Sequence, residues 1–516
     1  MPRMSPDSML QQDFGLIVDL VHGYAQERPH HPALIHDARM LTYGELDRLM
    51  DRVAASLQRD GVQSGDVISI CAASCVEYGA IFLGALRAGV AVAPLAPSST
   101  PEALTTMLAD CSAKILFRDE PVAAAVEGQK LPASLRRIPI SMRDWLAPQD
   151  AQPRPVQIDP GAPFNIIYSS GTTGTPKGIV QSHRMRWAHV HRASLARYDR
   201  TAVTICSTPL YSNTTLVSFF PTMALGGTAV LMAKFDALKF LELAQRHRAT
   251  HAMLVPVQYQ RIMDLPEFDR FDLSAFRMKF CTSAPFGAAL KADILKRWPG
   301  GLTEYYGMTE GGGSCILYAH EFPDKLHTVG QPAPGHEIRL IDEQGREVPR
   351  GAVGEIVGRS PASMMNGYFN QPGKTAEAEW RDSEGNRYIR TGDVGRFDEQ
   401  GFLTLMDRRK DMIISGGFNI YPSDLESVLS KHDAIKEAAV VGVASRQWGE
   451  TPVAFVVLKP GRTTSAEEIR AWANERLGKT QRLASIEIRE MLPRSAIGKV
   501  LKRELRDQYA QAGTSS

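Results

Sequence analysis

Ser-Ser-Gly-Thr-Thr-Gly-Thr-Pro-Lys-Gly, at residues 169–178, is the stretch on which the interpretation of this chain depends. Its three glycines allow tight turns and let backbone amides approach an anion closely. Five hydroxyl side chains and Lys177 add hydrogen-bond donors and a positive charge. The preceding residues, Phe164 to Tyr168, are typical of a buried strand. A strand that leads into such a loop predicts a binding site for a polyphosphate.

This loop differs from the common P-loop. That motif needs Gly-Lys followed by Ser or Thr, whereas Lys177 lies between Pro176 and Gly178, so no hydroxyl follows the lysine to hold Mg²⁺. On composition alone, a flexible surface loop is an equally good interpretation. The order of the residues, however, closely resembles the phosphate loop of the adenylate-forming superfamily. That superfamily includes acyl-CoA synthetases, aryl-CoA ligases, peptide-synthetase adenylation domains and firefly luciferase.

Length and composition indicate a globular protein of two or more domains. The chain has 516 residues, of which 43% are hydrophobic and 22% are charged. A net charge of +2 gives no reason to expect nucleic acid or an anionic membrane as partner. The six cysteines are scattered, which favours reduced thiols in the cytoplasm. We expect no signal peptide and no membrane span, and we predict a strand, a buried helix and a strand within the uncharged stretch 201–233.

Helices and apolar strands alternate in the first part of the chain. A capping box at Thr42 to Glu45 predicts a helix that ends near Gly61. Further strands are predicted at 67–71, 90–95 and 114–117, and further helices at 76–88 and 102–110. This order predicts an α/β fold. The resemblance implies a large N-terminal domain of layered α/β sheets, residues 1–407, and a small, mobile α+β C-terminal domain, residues 408–516.

The segment Glu-Tyr-Tyr-Gly-Met-Thr-Glu at 304–310 resembles the second signature of the superfamily. Alone it would usually be a turn, but it follows the first motif at the distance that the superfamily requires. The resemblance implies that Tyr305, Tyr306 and Gly307 border the adenine and that Thr309 donates to a phosphate. Glu310 is then the ligand of Mg²⁺ bound to that phosphate, a role that suits a carboxylate oxygen.

Three further segments resemble nucleotide-binding motifs of the superfamily. A predicted strand and turn at 280–285 would border the adenine through Ser283, Ala284 and Pro285. Asp393, in Tyr-Ile-Arg-Thr-Gly-Asp, would accept both ribose hydroxyls, because a carboxylate has two acceptor oxygens. The charged run 407–411 resembles the hinge between the two domains, with Arg408 reaching the nucleotide and Lys410 at the pivot.

The acid-binding pocket is expected near Ser207 to Asn213 and after Glu310. The first segment contains no aspartate to pair with an ammonium group, so α-amino acids are disfavoured as substrates. Glycines at 311–313 would leave room for a bulky or flat acyl group. The residues predicted to line the pocket are Tyr211, Ser212, Phe219, Gly311 and Gly312. They favour an aromatic or a medium- to long-chain hydrophobic carboxylate.

The predicted C-terminal domain contains two capped helices, one capped by Ser423 behind Pro422 and one by Ser465 with Glu468. Strands are predicted at 438–443, 453–458 and 486–489. Two of its segments resemble CoA-binding segments of relatives, and they would contribute Ser415, Gly416, Gly417, Trp448 and Arg482. Trp448 is equally well explained as a partly buried surface aromatic. Relatives usually carry a proline where this chain has Gln481, so the chain departs from the pattern of the superfamily directly before Arg482.

Leu-Pro-Arg-Ser-Ala-Ile-Gly-Lys-Val at 492–500 resembles the last motif of the superfamily, and Lys499 falls on its catalytic lysine. The resemblance therefore implies an ATP-dependent acid–CoA ligase that uses ATP, Mg²⁺ and coenzyme A. Transfer to a carrier protein instead of CoA, or a luciferase-like oxidation of the acyl-adenylate, are the alternatives. The predicted phosphate-binding residues are Ser169, Ser170, Gly171, Thr172, Thr173, Gly174 and Lys177.

Overall fold

The computed structural model describes residues 4–169, 176–193, 196–408, 411–415, 418–445, 448–478, 481–494 and 500–513. The chain forms two compact units. The first contains residues 1–327, 332–337 and 358–389, and the second contains residues 328–331, 338–357 and 390–516. The boundary between the units therefore falls at several points of the chain, and the predicted division at 407/408 remains a prediction.

The helices are named α1 to α15 in chain order. They are α1 Pro6–Leu10, α2 Ile17–Glu27, α3 Tyr43–Arg59, α4 Val76–Arg87, α5 Pro101–Asp110, α6 Glu120–Ala125, α7 His183–Ala193, α8 Asn213–Ala224, α9 Ala237–His247, α10 Pro256–Met263, α11 Ala288–Arg297, α12 Pro372–Glu377, α13 Pro422–Leu429, α14 Ala466–Arg476 and α15 Lys502–Gly513.

The strands are named β1 to β26. They are β1 Pro32–His36, β2 Arg39–Thr42, β3 Val67–Cys71, β4 Ala91–Pro94, β5 Ile115–Arg118, β6 Arg136–Pro139, β7 Pro163–Ser169, β8 Lys177–Ser182, β9 Val203–Cys206, β10 Thr228–Leu231, β11 His251–Leu254, β12 Met278–Cys281, β13 Gly301–Tyr306, β14 Cys315–Tyr318, β15 Gln331–Pro332, β16 Glu337–Ile341, β17 Gly354–Arg359, β18 Gly367–Tyr368, β19 Glu379–Arg381, β20 Arg387–Phe397, β21 Leu403–Arg408, β22 Ile413–Ser415, β23 Phe418–Ile420, β24 Ile435–Ser445, β25 Gly449–Leu458 and β26 Ser485–Ile488.

The first unit contains two large sheets. In one sheet the strands follow the order β14-β13-β12-β11-β9-β10-β1-β2, and in the other β18-β8-β7-β4-β3-β5-β6. The neighbours from β13 through β12, β11, β9 and β10 to β1 are all parallel. Parallel strands present their carboxyl ends at one edge of the sheet, where ligands bind in open α/β folds.

The core of the first unit lies between these sheets. Side chains of β1, β3, β7 and β10 share one buried cluster with helices α2, α3, α4 and α8. Phe219 and Phe220 on α8 pack edge to face, with ring centroids 5.3 Å apart. Helix α8 is buried on most of its surface, which agrees with the prediction of a strand, a buried helix and a strand in this part of the chain.

The second unit contains two smaller sheets. In one, β16, β17, β20 and β21 follow one another, and in the other the order is β23-β22-β25-β24, with β26 beside β25. Helices α13 and α14 cover the second of these sheets and share a hydrophobic cluster with it. The predicted α+β character of the C-terminal part is confirmed.

Most predicted elements lie where the sequence places them. Thr42 caps α3 in a reciprocal capping box with Glu45, and Ser465 caps α14 in the same way with Glu468. The cap assigned to Ser423 is wrong. Helix α13 begins at Pro422 with Tyr421 at the N-cap position, and the Ser423 hydroxyl instead donates to the carbonyl oxygen of Met406.

The six cysteines are free, and five of them are buried. None of the helices among the described residues is both long and apolar enough to span a membrane.

Candidate active site

The sheet topology brings three predicted segments to one edge. Strand β9 ends at Cys206, before the predicted acid-binding segment, and β12 ends at Cys281, before Ser283. Strand β13 ends at Tyr306, before Thr309 and Glu310. Because β9, β11, β12 and β13 are parallel neighbours, these loops all leave the same edge. The segments predicted to bind the adenine, the phosphates and the acid therefore lie at one edge of this sheet.

A hydrogen bond joins two of these segments directly. The hydroxyl groups of Ser283 and Thr214 lie 2.7 Å apart, which connects the predicted adenine-binding turn to α8. Ser283 has a φ of 82°, a conformation that costs free energy in a residue other than glycine. Such backbone strain occurs often at functional sites. Ala284 and Pro285 continue the turn.

The predicted phosphate loop connects two antiparallel strands of the other sheet. Ser169 at the end of β7 pairs with Lys177 at the start of β8. Ser170, Gly171, Thr172, Thr173 and Gly174 lie outside the described residues, so their predicted contacts remain predictions. Lys177 has its ammonium nitrogen 5.0 Å from the ring centroid of Tyr368, in a cation–π geometry.

Tyr368 links this lysine to Glu310. The Tyr368 hydroxyl donates a hydrogen bond of 2.9 Å to Oε1 of Glu310. Burial, and secondarily the neighbouring Glu310 carboxylate, raise the pKa of Tyr368. The hydroxyl therefore stays protonated and can orient the carboxylate. The backbone of Glu310 is held as well, since its carbonyl oxygen accepts from the amide of Met365 at 2.8 Å.

Gln181 holds the residue before Glu310. Its side-chain amide donates a hydrogen bond of 2.6 Å to the carbonyl oxygen of Thr309. Gln181 lies on β8, so this bond connects the strand after the phosphate loop with the Thr-Glu motif. Sequence reasoning did not select Tyr368 or Gln181 as site residues.

The glycines after Glu310 permit a close approach of two backbone segments. Gly311 and Gly312 have φ values of 71° and 94°. A Cβ atom on Gly311 would overlap the carbonyl oxygen of Ser363, and the amide of Gly312 donates to that oxygen at 2.9 Å. The close approach of these two backbone segments therefore requires glycine. The predicted role of Gly311 and Gly312 in the acid pocket remains a prediction.

The remaining predicted acid-pocket residues lie near the start of α8. Ser212 is the N-cap residue of this helix. Burial raises the pKa of Tyr211. Phe219 is completely buried in the main core cluster. Tyr306, predicted to stack on the adenine, is only 8% exposed, and Tyr305 and Gly307 flank it.

The second unit carries the predicted ribose, hinge and CoA residues. Asp393 on β20 pairs in register with Arg408 on β21, and its amide donates to the Thr391 hydroxyl at 3.0 Å. Ser415 pairs with Gly449, which follows Trp448. Trp448 is 51% exposed, and Arg482 is also exposed. The described residues do not include Lys410, Gly416, Gly417 or the side chain of Arg408.

Lys499 also lies outside the described residues. Arg494 and Val500, on either side of that gap in the description, form an isolated antiparallel bridge.

Comparison with known proteins agrees with these observations. Residues 21–369 match the AMP-binding enzyme family, and residues 424–499 match the C-terminal domain of AMP-binding enzymes. A fatty acid–[acyl-carrier-protein] ligase of Streptomyces coeruleorubidus is 31% identical and covers 96% of each chain. A feruloyl-CoA synthase of an Amycolatopsis species is 34% identical, covering 94% of this chain and 97% of that protein. The ATP-bound crystal structure of MatB from Rhodopseudomonas palustris superposes with a TM-score of 0.86 at 29% identity, covering 95% of this chain and 99% of the other.

The fold and the matches define an adenylate-forming enzyme, an acid–thiol ligase that uses ATP. The chain belongs to the AMP-binding enzyme family.

Proposed function

We propose that this protein is an ATP-dependent acid–CoA ligase for an aromatic or a medium- to long-chain hydrophobic carboxylate. The observation that carries the proposal is the convergence of the Ser207–Asn213, Ser283–Pro285 and Thr309–Glu310 segments at one sheet edge. The names of the relatives, a feruloyl-CoA synthase and a fatty acid ligase, support both kinds of acid. Free cysteines support a cytoplasmic location.

The ATP phosphates are bound by Lys177 and by the loop 169–174. Backbone amides and hydroxyls there donate to phosphate oxygens, as the glycine content of the loop favours. The adenine lies between Tyr306 and the 283–285 turn, and Asp393 accepts the ribose hydroxyls. Arg408, which pairs with Asp393 in register, contributes a cation close to the nucleotide.

Glu310 is the residue that would hold Mg²⁺. Its carboxylate is fixed by Tyr368 and only partly buried. Among the described residues, no group of three or more His, Cys, Asp or Glu side chains could hold a metal ion. A single carboxylate fits Mg²⁺ in such enzymes, because this ion is typically bound by one or two carboxylates together with substrate phosphates. When bound, the ion neutralises phosphate charge.

In the first half-reaction a carboxylate oxygen of the acid attacks the α-phosphorus of ATP. This step forms acyl-AMP and releases pyrophosphate. Two anions approach each other, so the protein must supply positive charge at the reacting centre. Lys499 supplies it, and Thr309 donates a hydrogen bond to a phosphate.

In the second half-reaction the CoA thiolate attacks the acyl carbon and AMP leaves. We propose that residues 408–516 act as the mobile domain, with Lys410 as its pivot. Ser415, Gly416, Gly417, Trp448 and Arg482 would border CoA. The exposure of Trp448 supports this role, since a large exposed aromatic side chain is available for stacking on a ligand.

The test is pyrophosphate release across a panel of aryl and alkyl acids, alone, with CoA, and with a phosphopantetheinylated carrier protein. The expected result is release that depends on an apolar acid, with an acyl-CoA thioester formed when CoA is added. Thioester formation on the carrier protein only would instead establish the alternative that the Streptomyces relative represents. Release with none of the acids would contradict the ligase function.

A further inference from the structure

Helix α7 carries a basic face into the interior of the first unit. Arg186, His189 and Arg192 are spaced three residues apart, so they lie on one side of the helix. Arg186 is 1% exposed. Burial lowers its pKa to about 9, which leaves it cationic at neutral pH. Burial and the neighbouring cations lower the pKa of His189 well below its usual value.

The charges on this face have no carboxylate partner among the described residues. The guanidinium of Arg186 donates to the amide oxygens of Asn165 at 3.0 Å and Asn213 at 2.9 Å. It also donates to Gln181 and lies over the rings of Phe164 and Phe220. Its Nη1 atom, and Nδ1 of His189, are buried and have no hydrogen-bond partner in the part of the chain that the structure describes. A buried cation without a counter-ion is costly, which indicates that an anion belongs here.

Arg192 is the member of the face with capacity for a further acceptor. Its Nη2 donates to the Ser363 hydroxyl at 2.6 Å, while its Nη1 lies against Nε2 of His336. The other ring nitrogen of His336, Nδ1, accepts from the amide of Ser314 at 2.9 Å. Burial lowers the pKa of His336 to about 4, so the ring is neutral.

This arrangement places two donors against each other. A neutral imidazole that accepts at Nδ1 carries its proton on Nε2. The Nε2–H of His336 and the Nη1–H of Arg192 then face one another, and no described residue places an acceptor between them. A carboxylate would accept from both groups, and guanidinium forks bind carboxylates with two parallel hydrogen bonds.

Arg192 and His336 both contact residues that adjoin the glycines after Glu310. Ser363, which binds Arg192 through its hydroxyl, accepts the Gly312 amide through its carbonyl oxygen. Ser314, which donates to His336, ends the same glycine run. Met185, two turns before Arg192 on α7, lies 3.0 Å from the position of a Cβ on Gly311.

We propose that the acid substrate carries a second carboxylate at the end remote from the reacting one, and that Arg192 and His336 bind it. This inference rests on the proposed ligase function and on an acid site bordered by Gly311 and Gly312. The substrate class is then a dicarboxylic acid with an apolar body, either an aryl acid with a ring carboxylate or an α,ω-diacid.

The test compares acids that differ only at the remote end. Pyrophosphate release is measured with cinnamic acid, para-carboxycinnamic acid and the methyl ester of the ring carboxylate, and with octanoic and octanedioic acids. The wild-type enzyme is expected to prefer the diacid of each set. In Arg192→Met, the ratio of kcat/KM for diacid over monoacid should fall by about 10- to 100-fold, as expected for a lost hydrogen bond to a charged group.

Two variants control this experiment. Arg184→Met removes an exposed arginine from the opposite side of the same helix and should leave the ratio unchanged. Arg192→Lys keeps the charge without the fork and should lie between the wild type and Arg192→Met. A change in the ratio cannot come from partial misfolding, which would lower turnover of all the acids together.

Wild-type preference for the monoacids, or an unchanged ratio in Arg192→Met, would overturn this inference while leaving the ligase function intact. Release of pyrophosphate with neither class of acid would contradict the ligase function and this inference with it.

Discussion

Glu310 is held by one side-chain contact and one backbone contact. Tyr368 donates to Oε1, and its ring lies under the ammonium group of Lys177. The backbone carbonyl oxygen is bound by the Met365 amide. A carboxylate so oriented needs little reorganisation when a metal–nucleotide complex binds, which is the condition for electrostatic catalysis.

Tyr368→Phe tests this orientation. It removes the hydroxyl but keeps the ring under Lys177. We expect kcat/KM for magnesium–ATP to fall by about 10- to 100-fold, because a hydrogen bond to a charged group contributes about 1.5–3 kcal/mol. Tyr318→Phe, on a partly exposed strand of the same unit, is the control. Equal values for the wild type and Tyr368→Phe would show that the hydroxyl does not position Glu310.

Lys499→Ala tests the proposed catalytic cation. Adenylation should slow by about 10²–10³-fold, the usual cost of removing one preorganised charge-stabilising group. Thioester formation from supplied acyl-adenylate should remain largely intact, because that step needs no attack on ATP. The two half-reactions are measured separately, with Lys436→Ala, an exposed lysine of the same unit, as control. Equal losses in both steps would contradict the assignment.

At the level of elements, local signals decided which predictions succeeded. The box at Thr42 and Glu45 and the apolar run of β3 depend on neighbouring residues, and both were predicted from them. The cap at Ser423 was wrong, because a proline already begins the helix and the hydroxyl binds Met406, 17 residues away.

The fixed geometry of the site could not be predicted in the same way. The bond from Tyr368 to Glu310 joins residues 58 positions apart. The bond from Gln181 to Thr309 spans 128 positions, and the contact between Arg192 and His336 spans 144 positions. Such partners come together only after two sheets have packed. Motif spacing predicts the reacting residues, whereas the residues that orient them depend on tertiary structure.

The hairpin loop between β13 and β14 gives a prediction at this scale. Gly311→Ala should lower the free energy of unfolding by more than Gly128→Ala. Both glycines have φ near 75° and share the backbone cost of about 1 kcal/mol or more. Only at Gly311 would the new methyl group also overlap backbone, whereas no atom of the described residues lies within 4 Å of a Cβ position at Gly128.

Urea unfolding of the two variants measures the difference. Equal destabilisation would show that the loop accommodates a side chain, and that the glycine run serves the acid pocket rather than the backbone approach to Ser363.

At the scale of the whole molecule, two half-reactions must share one set of motifs. Lys410→Pro fixes φ at the proposed pivot. We expect it to slow thioester formation more than pyrophosphate release, since conformational steps are affected by changes at hinges. Lys410→Ala should retain both steps. Unimpaired acyl-CoA formation in Lys410→Pro would contradict the hinge.

Acid stability is a second property of the whole fold. His251 is buried beside the rings of Tyr198 and Phe280, with centroids 4.1 and 6.1 Å away, and burial lowers its pKa to about 4. The unfolded chain, with a histidine pKa of about 6.5, binds a proton first as the pH falls. The contribution of neutral His251 is therefore complete above pH 6.5 and is lost as the pH falls towards about 4.

His251→Gln isolates this effect. Between pH 7 and pH 5 the wild type should lose about 2 kcal/mol more unfolding free energy than the variant. Denaturant unfolding at a series of pH values gives the slope of the unfolding free energy against pH for the wild type and for the variant. Parallel slopes would mean that His251 titrates normally in the folded protein.

The most direct test of the acid–CoA ligase account follows an oxygen atom. The enzyme is incubated with ATP, CoA and an accepted acid whose carboxylate carries heavy oxygen, and the products are analysed by mass spectrometry. Attack of the carboxylate on the α-phosphorus predicts one labelled oxygen in AMP and none in pyrophosphate, together with an acyl-CoA thioester. Label in inorganic phosphate with ADP as product, or thioester formation without labelled AMP, would contradict the account.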